Sequence, residues 1–146
     1  MLVTPLLIAA TPSRGVDPRD IVLIDGRRYY FSTIEVSVPE AVSVCQEINM
    51  TVAGLETIEE FTAVTNYMKT NLNFGTWWWV SGCRQYTSWI WSNSGQLFAF
   101  FQWGPFRPLY SDSHAQVCLA LYDTTGDMGD GRCDENNFFI CEERSC

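Results

Sequence analysis

The chain has 146 residues, 47% of them hydrophobic and 18% charged, which suits one ordinary domain with a core and excludes a disordered chain. Its formal net charge is −8 and Arg27-Arg28 is its only basic pair, which excludes the basic patch of a nucleic-acid binder. No stretch reaches the roughly 18 consecutive apolar residues that read as a membrane span.

Residues 1–10 are mostly apolar and end in Ala9-Ala10, like the end of an export signal, but they lack a positive charge and include Pro5. They read as a truncated or atypical signal. Residues 11–20 are rich in proline, glycine and charge and read as a linker. The expected organisation is an N-terminal segment over 1–20 and one domain over 21–146. Runs 21–24 and 27–31 flank Asp25-Gly26, a pair that tolerates the positive φ of a tight turn, and predict a β-hairpin.

A first helix is predicted from Ser37, which can cap it with Glu40 as the capping-box partner. Pro39 falls in the first turn, where a missing N–H costs nothing. Ala41, Val44, Cys45 and Ile48 form its apolar stripe, so Cys45 should face the core. A second helix is predicted from Thr57 with Glu60 as its partner and Phe61, Val64 and Met68 on its inner face. Beyond it the pattern changes. Short β-rich runs at 77–81, 89–91, 97–101, 117–121 and 138–141 are separated by turn residues such as Asn93-Ser94-Gly95. Helices first and strands afterwards predict an α+β fold. Residues 102–115 lack strong periodicity, and an ordered loop of that length is often functional.

Six cysteines, an even number, fit a disulfide framework made in an oxidising compartment. Asn49-Met50-Thr51 is an N-glycosylation sequon, which fits the same compartment. Spacing alone leaves the pairing open, since six cysteines allow 15 connectivities. Aspartates and glutamates concentrate late, at Asp123, Asp127, Asp130, Asp134, Glu135, Glu142 and Glu143, and read as a solvated acidic surface. A cation site built from Asp123, Asp127 and Asp130 is the sharper reading, although their spacing is not that of an EF-hand loop.

In order along the chain, YYFS (29–32), EAVSVC (40–45), LETIEE (55–60), WVSG (79–82), FQWGPFRP (101–108), VCLAL (117–121), GRC (131–133) and NFFICE (137–142) resemble the markers of the C-type lectin-like domain. The resemblance covers about residues 27–142. It implies two helices flanking small antiparallel sheets, a long loop, and disulfides Cys45–Cys141 and Cys118–Cys133. The first pair would close nearly the whole domain, a stabilisation of about 4–5 kcal/mol, and the second a short loop, about 3 kcal/mol. Cys83 and Cys146 remain and are expected to pair with each other, with an interchain bridge as the competitor.

Sugar-binding members of the family hold calcium through oxygen ligands on either side of a long-loop proline, through an acidic residue two before a framework cysteine, and through Trp-Asn-Asp before the next. Calcium needs six to eight oxygens. Here the proline is Pro108, flanked by Arg107 and Leu109. Gln116 stands two before Cys118, and Met128-Gly129-Asp130 occupies the last position. A guanidinium replaces one ligand, Leu109 and Gly129 supply no side-chain oxygen, and only Asp130 keeps its type. The resemblance therefore implies a scaffold whose calcium chemistry is gone, with no cofactor.

Other chemistry is absent from the sequence. His114 is the only histidine, Ser113-His114 completes no triad, and neither GxSxG nor a phosphate-binding glycine loop is present. The chain is expected to be no enzyme. It reads as a secreted recognition module that binds a protein or other ligand without calcium through Phe106, Arg107, Tyr110 and His114. Exposed Arg107 at the loop tip should be removable with little loss of stability. Two alternatives stand beside this: an innate-immune type of carbohydrate-binding lectin that stacks a sugar on Trp91 or Trp103, and a structural component, monomeric or linked as a dimer through Cys83 or Cys146.

Overall fold

Asp25 and Gly26 both take positive φ, 48° and 82°. The turn they make joins β1 (Ile21–Ile24) to β2 (Arg27–Phe31), as the Asp-Gly pair predicts. The structure is a computed structural model that describes residues 16–110 and 116–144. The signal-like start of the chain, His114 and Cys146 lie outside the described residues. Within the expected linker, Pro18–Asp20 forms a 3-10 turn, and Val16 is buried beside Tyr30, so packing starts before the hairpin.

Helix α1 (Val38–Glu47) begins after Ser37 with Pro39 in its first turn, but the Ser37 side chain makes no capping hydrogen bond. Ala41, Val44 and Cys45 are buried on its inner face. Helix α2 (Ile58–Asn71) is capped as expected: Thr57 Oγ1 accepts from the Glu60 amide at 3.1 Å. Phe61, Val64 and Met68 are buried, each contributing about 1.5–3 kcal/mol by leaving water. Thr65 joins them because its hydroxyl donates to the Phe61 carbonyl at 2.8 Å.

The sheet is organised around β9 (Phe138–Glu143). It runs antiparallel to β2 and to the short β3 (Met50–Val52), and parallel to β4 (Trp77–Gln85). β4 also pairs with β5 (Ser88–Trp91) and β7 (Val117–Tyr122). β5 continues to β6 (Gln96–Leu97), and β7 to β8 (Met128–Arg132). Side chains alternate along β4, so Trp78 and Val80 face the α2 core while Trp79 faces the α1 core. Disulfides join Cys45 to Cys141 and Cys118 to Cys133, the two pairs the resemblance implies, while Cys83 carries a free thiol.

One strand expectation is corrected, and one strand is added. The run 97–101 stays in the ladder only as far as Leu97, because its aromatics wrap onto the core instead. Phe98 stacks on Trp91 at 4.2 Å and Phe100 meets Phe61 edge-on at 5.2 Å. β8 is not among the β-rich runs seen in the sequence, although the resemblance places Gly131-Arg132-Cys133 among the closing strands; it forms a strand over Met128–Arg132. Its glycines serve packing, as shown below.

The late acidic residues are not all solvated. Asp123, Asp130 and Glu142 are buried. Asp123 accepts the amides of Phe74, Gly75 and Thr76 and the indole N–H of Trp78, at 2.9–3.2 Å. Glu142 accepts the Gly54 amide at 2.9 Å and pairs with Arg27 at 3.2 Å. Burial, and then the neighbouring Glu60, push its carboxyl up to about 8. Asn49, the sequon residue, has φ of 60° at the turn between α1 and β3. Asparagine is favoured there for backbone reasons alone.

Candidate functional site: the anchored long loop

Trp77 and Trp79 are two apart on β4 and therefore project from the same face of the sheet. Beside them lies β7, with Ala120 opposite Trp79, and beyond it β8. Both indoles reach across Ala120 to β8, where glycines give them room. A Cβ at Gly129 would lie 2.5 Å from the Trp77 ring, and one at Gly131 would lie 3.2 Å from the Trp79 ring. Small residues at 120, 129 and 131 thus let two tryptophans lie flat across neighbouring strands, and this is the physical reason for the glycines in β8.

Arg107 rests on the outer side of Trp77, its guanidinium carbon 4.7 Å from the ring centroid, a cation–π contact. Its Nη1 donates to the Asp130 carbonyl at 2.7 Å and lies 3.7 Å from Asp130 Oδ1. The carboxylate of Asp130 is fully buried. Oδ1 accepts the Leu109 amide at 2.7 Å and Oδ2 the Tyr110 amide at 2.8 Å. Two residues earlier in the strand, Met128 exchanges backbone bonds with the other limb of the loop: Gly104 donates to it at 2.9 Å, and it donates to Gln102 at 2.8 Å. β8 therefore grips the loop on both sides of its tip. Arg84 adds a hydrogen bond to the Tyr110 carbonyl.

Phe106 is what this anchoring presents. Its φ is 63°, a conformation rare for a bulky residue, which costs about 1–3 kcal/mol and must be held by the surroundings. The residue is 94% exposed. The following Arg107–Pro108 peptide is cis.

The candidate residues thus divide. Phe106 is at the tip; Arg107 is not. It folds inward with 23% of its side chain exposed, because Trp77 and Asp130 together offer it a ring face and an anion. Its removal would strip both of their partner, so the expected neutrality of Arg107→Ala is replaced by an expected loss of stability. Leu109 and Tyr110 take part through their amides, and Tyr110 is also half-buried against the core. Gln116 is exposed just before β7. Trp91 is wholly buried and cannot stack on a ligand. Asp123 and Asp130 hold different sets of amides, so Asp123, Asp127 and Asp130 make no common cation site. Trp77 and Gly129 were missed as determinants. The available signal was the Gly-x-Gly spacing at 129 and 131, which marks close approach within a strand.

A direct check is Gly129→Ala. The added methyl must displace the Trp77 ring and the guanidinium on it, and overpacking of this kind costs about 1–3 kcal/mol. Urea unfolding followed by tryptophan fluorescence should show the loss; wild-type stability would mean that Trp77 is not held as described.

Comparison with known proteins agrees with this geometry. The sequence model of the Lectin C-type domain family matches residues 34–143. C-type lectin domain family 4 member M of Nomascus concolor is 26% identical over 128 residues, covering 86% of this chain and 31% of that protein. The curated relatives it matches are all longer: the chain spans between 28% and 59% of their lengths. Among solved structures, human lithostathine superposes with a TM-score of 0.72 at 23% identity, covering 88% of this chain and all of that one. A calcium-independent type II antifreeze protein superposes with a TM-score of 0.69 at 17% identity, covering 90% and 96%. A match over most of the chain, two helices around a small mixed sheet and the long loop gripped by β8 lead to one assignment: the chain belongs to the C-type lectin domain family, whose members are non-enzymatic recognition domains.

Proposed function

We propose that this domain is a secreted module that recognises a protein ligand without calcium, through the long loop with Phe106 as its anchor. The observation that carries the reading is the position of Arg107. Where sugar-binding relatives place a metal ion among oxygens, this chain places its own cation between Trp77 and the fully buried carboxylate of Asp130. Both oxygens of Asp130 are already engaged by loop amides, and Gly129 has no room for a ligating side chain. Two unit charges 4 Å apart interact by about 4 kcal/mol at an effective dielectric of 20, so a dication beside the guanidinium would be opposed by about 8 kcal/mol. The loop is anchored by the chain's own groups, and what it offers is an exposed aromatic ring at its tip. Aromatic anchors of this kind dominate protein interfaces.

Thermal unfolding with and without millimolar calcium tests the calcium part. A ligand at about 100 times its dissociation constant adds about 2.7 kcal/mol, which a melting curve resolves. No shift is expected; an upward shift reversed by chelator would overturn the reading. Phe101 favours a second one. Its ring is 53% exposed and stacks at 6.0 Å on the half-buried Trp103, a pair on which a sugar ring could lie. A glycan array separates the two, since a protein-directed module should remain dark on it. Among the described residues no helix is long and apolar enough to cross a membrane. Secretion and glycosylation at Asn49 rest on the disulfides and the sequon.

A further inference from the structure

The register between β4 and β7 sets Cys83 opposite Cys118. The pairing slips between Trp79 and Cys83, and beyond the slip the two cysteines stand opposite each other; directly opposed residues of an antiparallel pair have Cα atoms about 4.5–5.5 Å apart and side chains on one face. A disulfide spans about 4.4–6.8 Å between Cα atoms. The shared face follows from the neighbours. A Cβ at Gly82 would meet Phe98 and Leu119 on the α2 side of the sheet, so Cys83 points to the other side. Cys118 and Cys133 both pack there, in the α1 core. The free thiol of Cys83 is therefore on the strand position directly opposite Cys118, whose sulfur is bridged to Cys133.

We propose that Cys83, Cys118 and Cys133 form a thiol–disulfide relay in which the Cys118 bridge moves from Cys133 to Cys83. The Cys83 thiolate attacks Cys118 Sγ, the Cys83–Cys118 bond forms as the Cys118–Cys133 bond breaks, and Cys133 leaves as a thiolate. The proton that Cys83 gave up is taken up by Cys133, so one thiol and one disulfide are present before and after, and neither an oxidant nor a reductant is consumed. The attacking species is the thiolate. Burial alone pushes the Cys83 thiol up, and its neighbours in the two flanking strands, Ile90 and Cys118, bring no charge. Exchange should be slow at neutral pH and faster in alkali.

The consequence reaches the loop. Before exchange the bridge fastens the end of β8 to β7, three residues past Asp130. The Cys133 carbonyl also accepts the Val38 amide at 2.9 Å, tying that end to the start of α1. After exchange the crosslink joins β7 to β4, and the end of β8 is held by hydrogen bonds only. The strand that grips the recognition loop thus has two covalent settings. This last step rests on the proposed role of the loop; the exchange itself does not.

The test uses the oxidised full chain, purified without reductant and held at pH 7 and at pH 9. Samples are quenched with acid, alkylated with N-ethylmaleimide and mapped without reduction. Cleavage after Arg84 and Arg132 puts the three cysteines on separate peptides. At pH 9 the label is expected to pass in part from Cys83 to Cys133, with a Cys83–Cys118 peptide appearing at a rate independent of protein concentration. Cys83→Ser should keep Cys118–Cys133 intact and leave Cys133 unlabelled. Label confined to Cys83 at both pH values would overturn the relay. So would Cys83 already bridged to Cys146 or to a second chain, or a rate that rises with protein concentration.

Discussion

Asp123→Ala is expected to destabilise the domain by about 4 kcal/mol, since hydrogen bonds to a charged group contribute about 1.5–3 kcal/mol each and buried donors left unmatched cost about 1–3 kcal/mol each. The carboxylate has no solvent exposure and accepts four N–H groups. Three of them belong to the backbone of residues 74–76, which turn the chain from α2 into β4. The fourth is the indole of Trp78, at the heart of the α2 core. Truncation leaves all four donors without their acceptor at once. Water entering the space recovers part of the loss, so the sum of four bonds is not expected. Asp123→Asn is the informative companion: it keeps the shape and one acceptor oxygen but turns an NH2 toward donors, and about half the effect should remain. Urea unfolding at pH 7 measures both. A loss below 1 kcal/mol for the alanine variant would remove Asp123 as the anchor of this turn. Because the turn sets where β4 begins, its loosening should also reach Trp77 and the site above it.

What could be read from the sequence, and what could not, follows from the range of the forces involved. The hairpin at Asp25-Gly26 and the two helices were legible because their signals are local: a turn pair, a cap, a periodic stripe. β8 was not. Its glycines look like a turn until it is known that Trp77 and Trp79 lie across the sheet from them. Phe100 and Phe101 carry strong β-propensity, yet lie outside the ladder because the tertiary gain of packing on Phe61 and Trp103 exceeds a local preference spanning about 1 kcal/mol. Asp123 and Asp130 were misplaced on the surface for a similar reason. A carboxylate among turn-forming residues reads as solvated, and only the fold shows that backbone amides converge on it. For the candidate site, the long loop was visible in the sequence, and Phe106 and Arg107 stood out within it. The inward turn of Arg107 was not, since its stacking partner lies 30 residues earlier in the chain.

Asp130→Ala is the second large effect, and it separates a structural loop anchor from a ligand contact. Removing one partner of a buried ion pair costs about 3–5 kcal/mol, because the other charge is left behind. Arg107 keeps some exposure and its seat on Trp77, so a value near 3 kcal/mol is expected. Arg107→Met is a useful comparison. Its unbranched chain can stay over the indole, but the charge is gone and Asp130 is left unpaired, so a loss of about 2 kcal/mol follows. The double variant Arg107→Met/Asp130→Asn should cost less than the sum of its parts, since no unpaired charge remains; the shortfall is the coupling between the two side chains. Hydrogen exchange localises the effect. The amides of Leu109 and Tyr110 donate to Asp130 and should lose protection in Asp130→Ala, while those of the β2–β9 ladder should lose none beyond the global change. If Asp130 acted only by touching a ligand, these amides would exchange as in the wild type. If it holds the loop, they open first, and Phe106 loses the support that keeps its ring exposed.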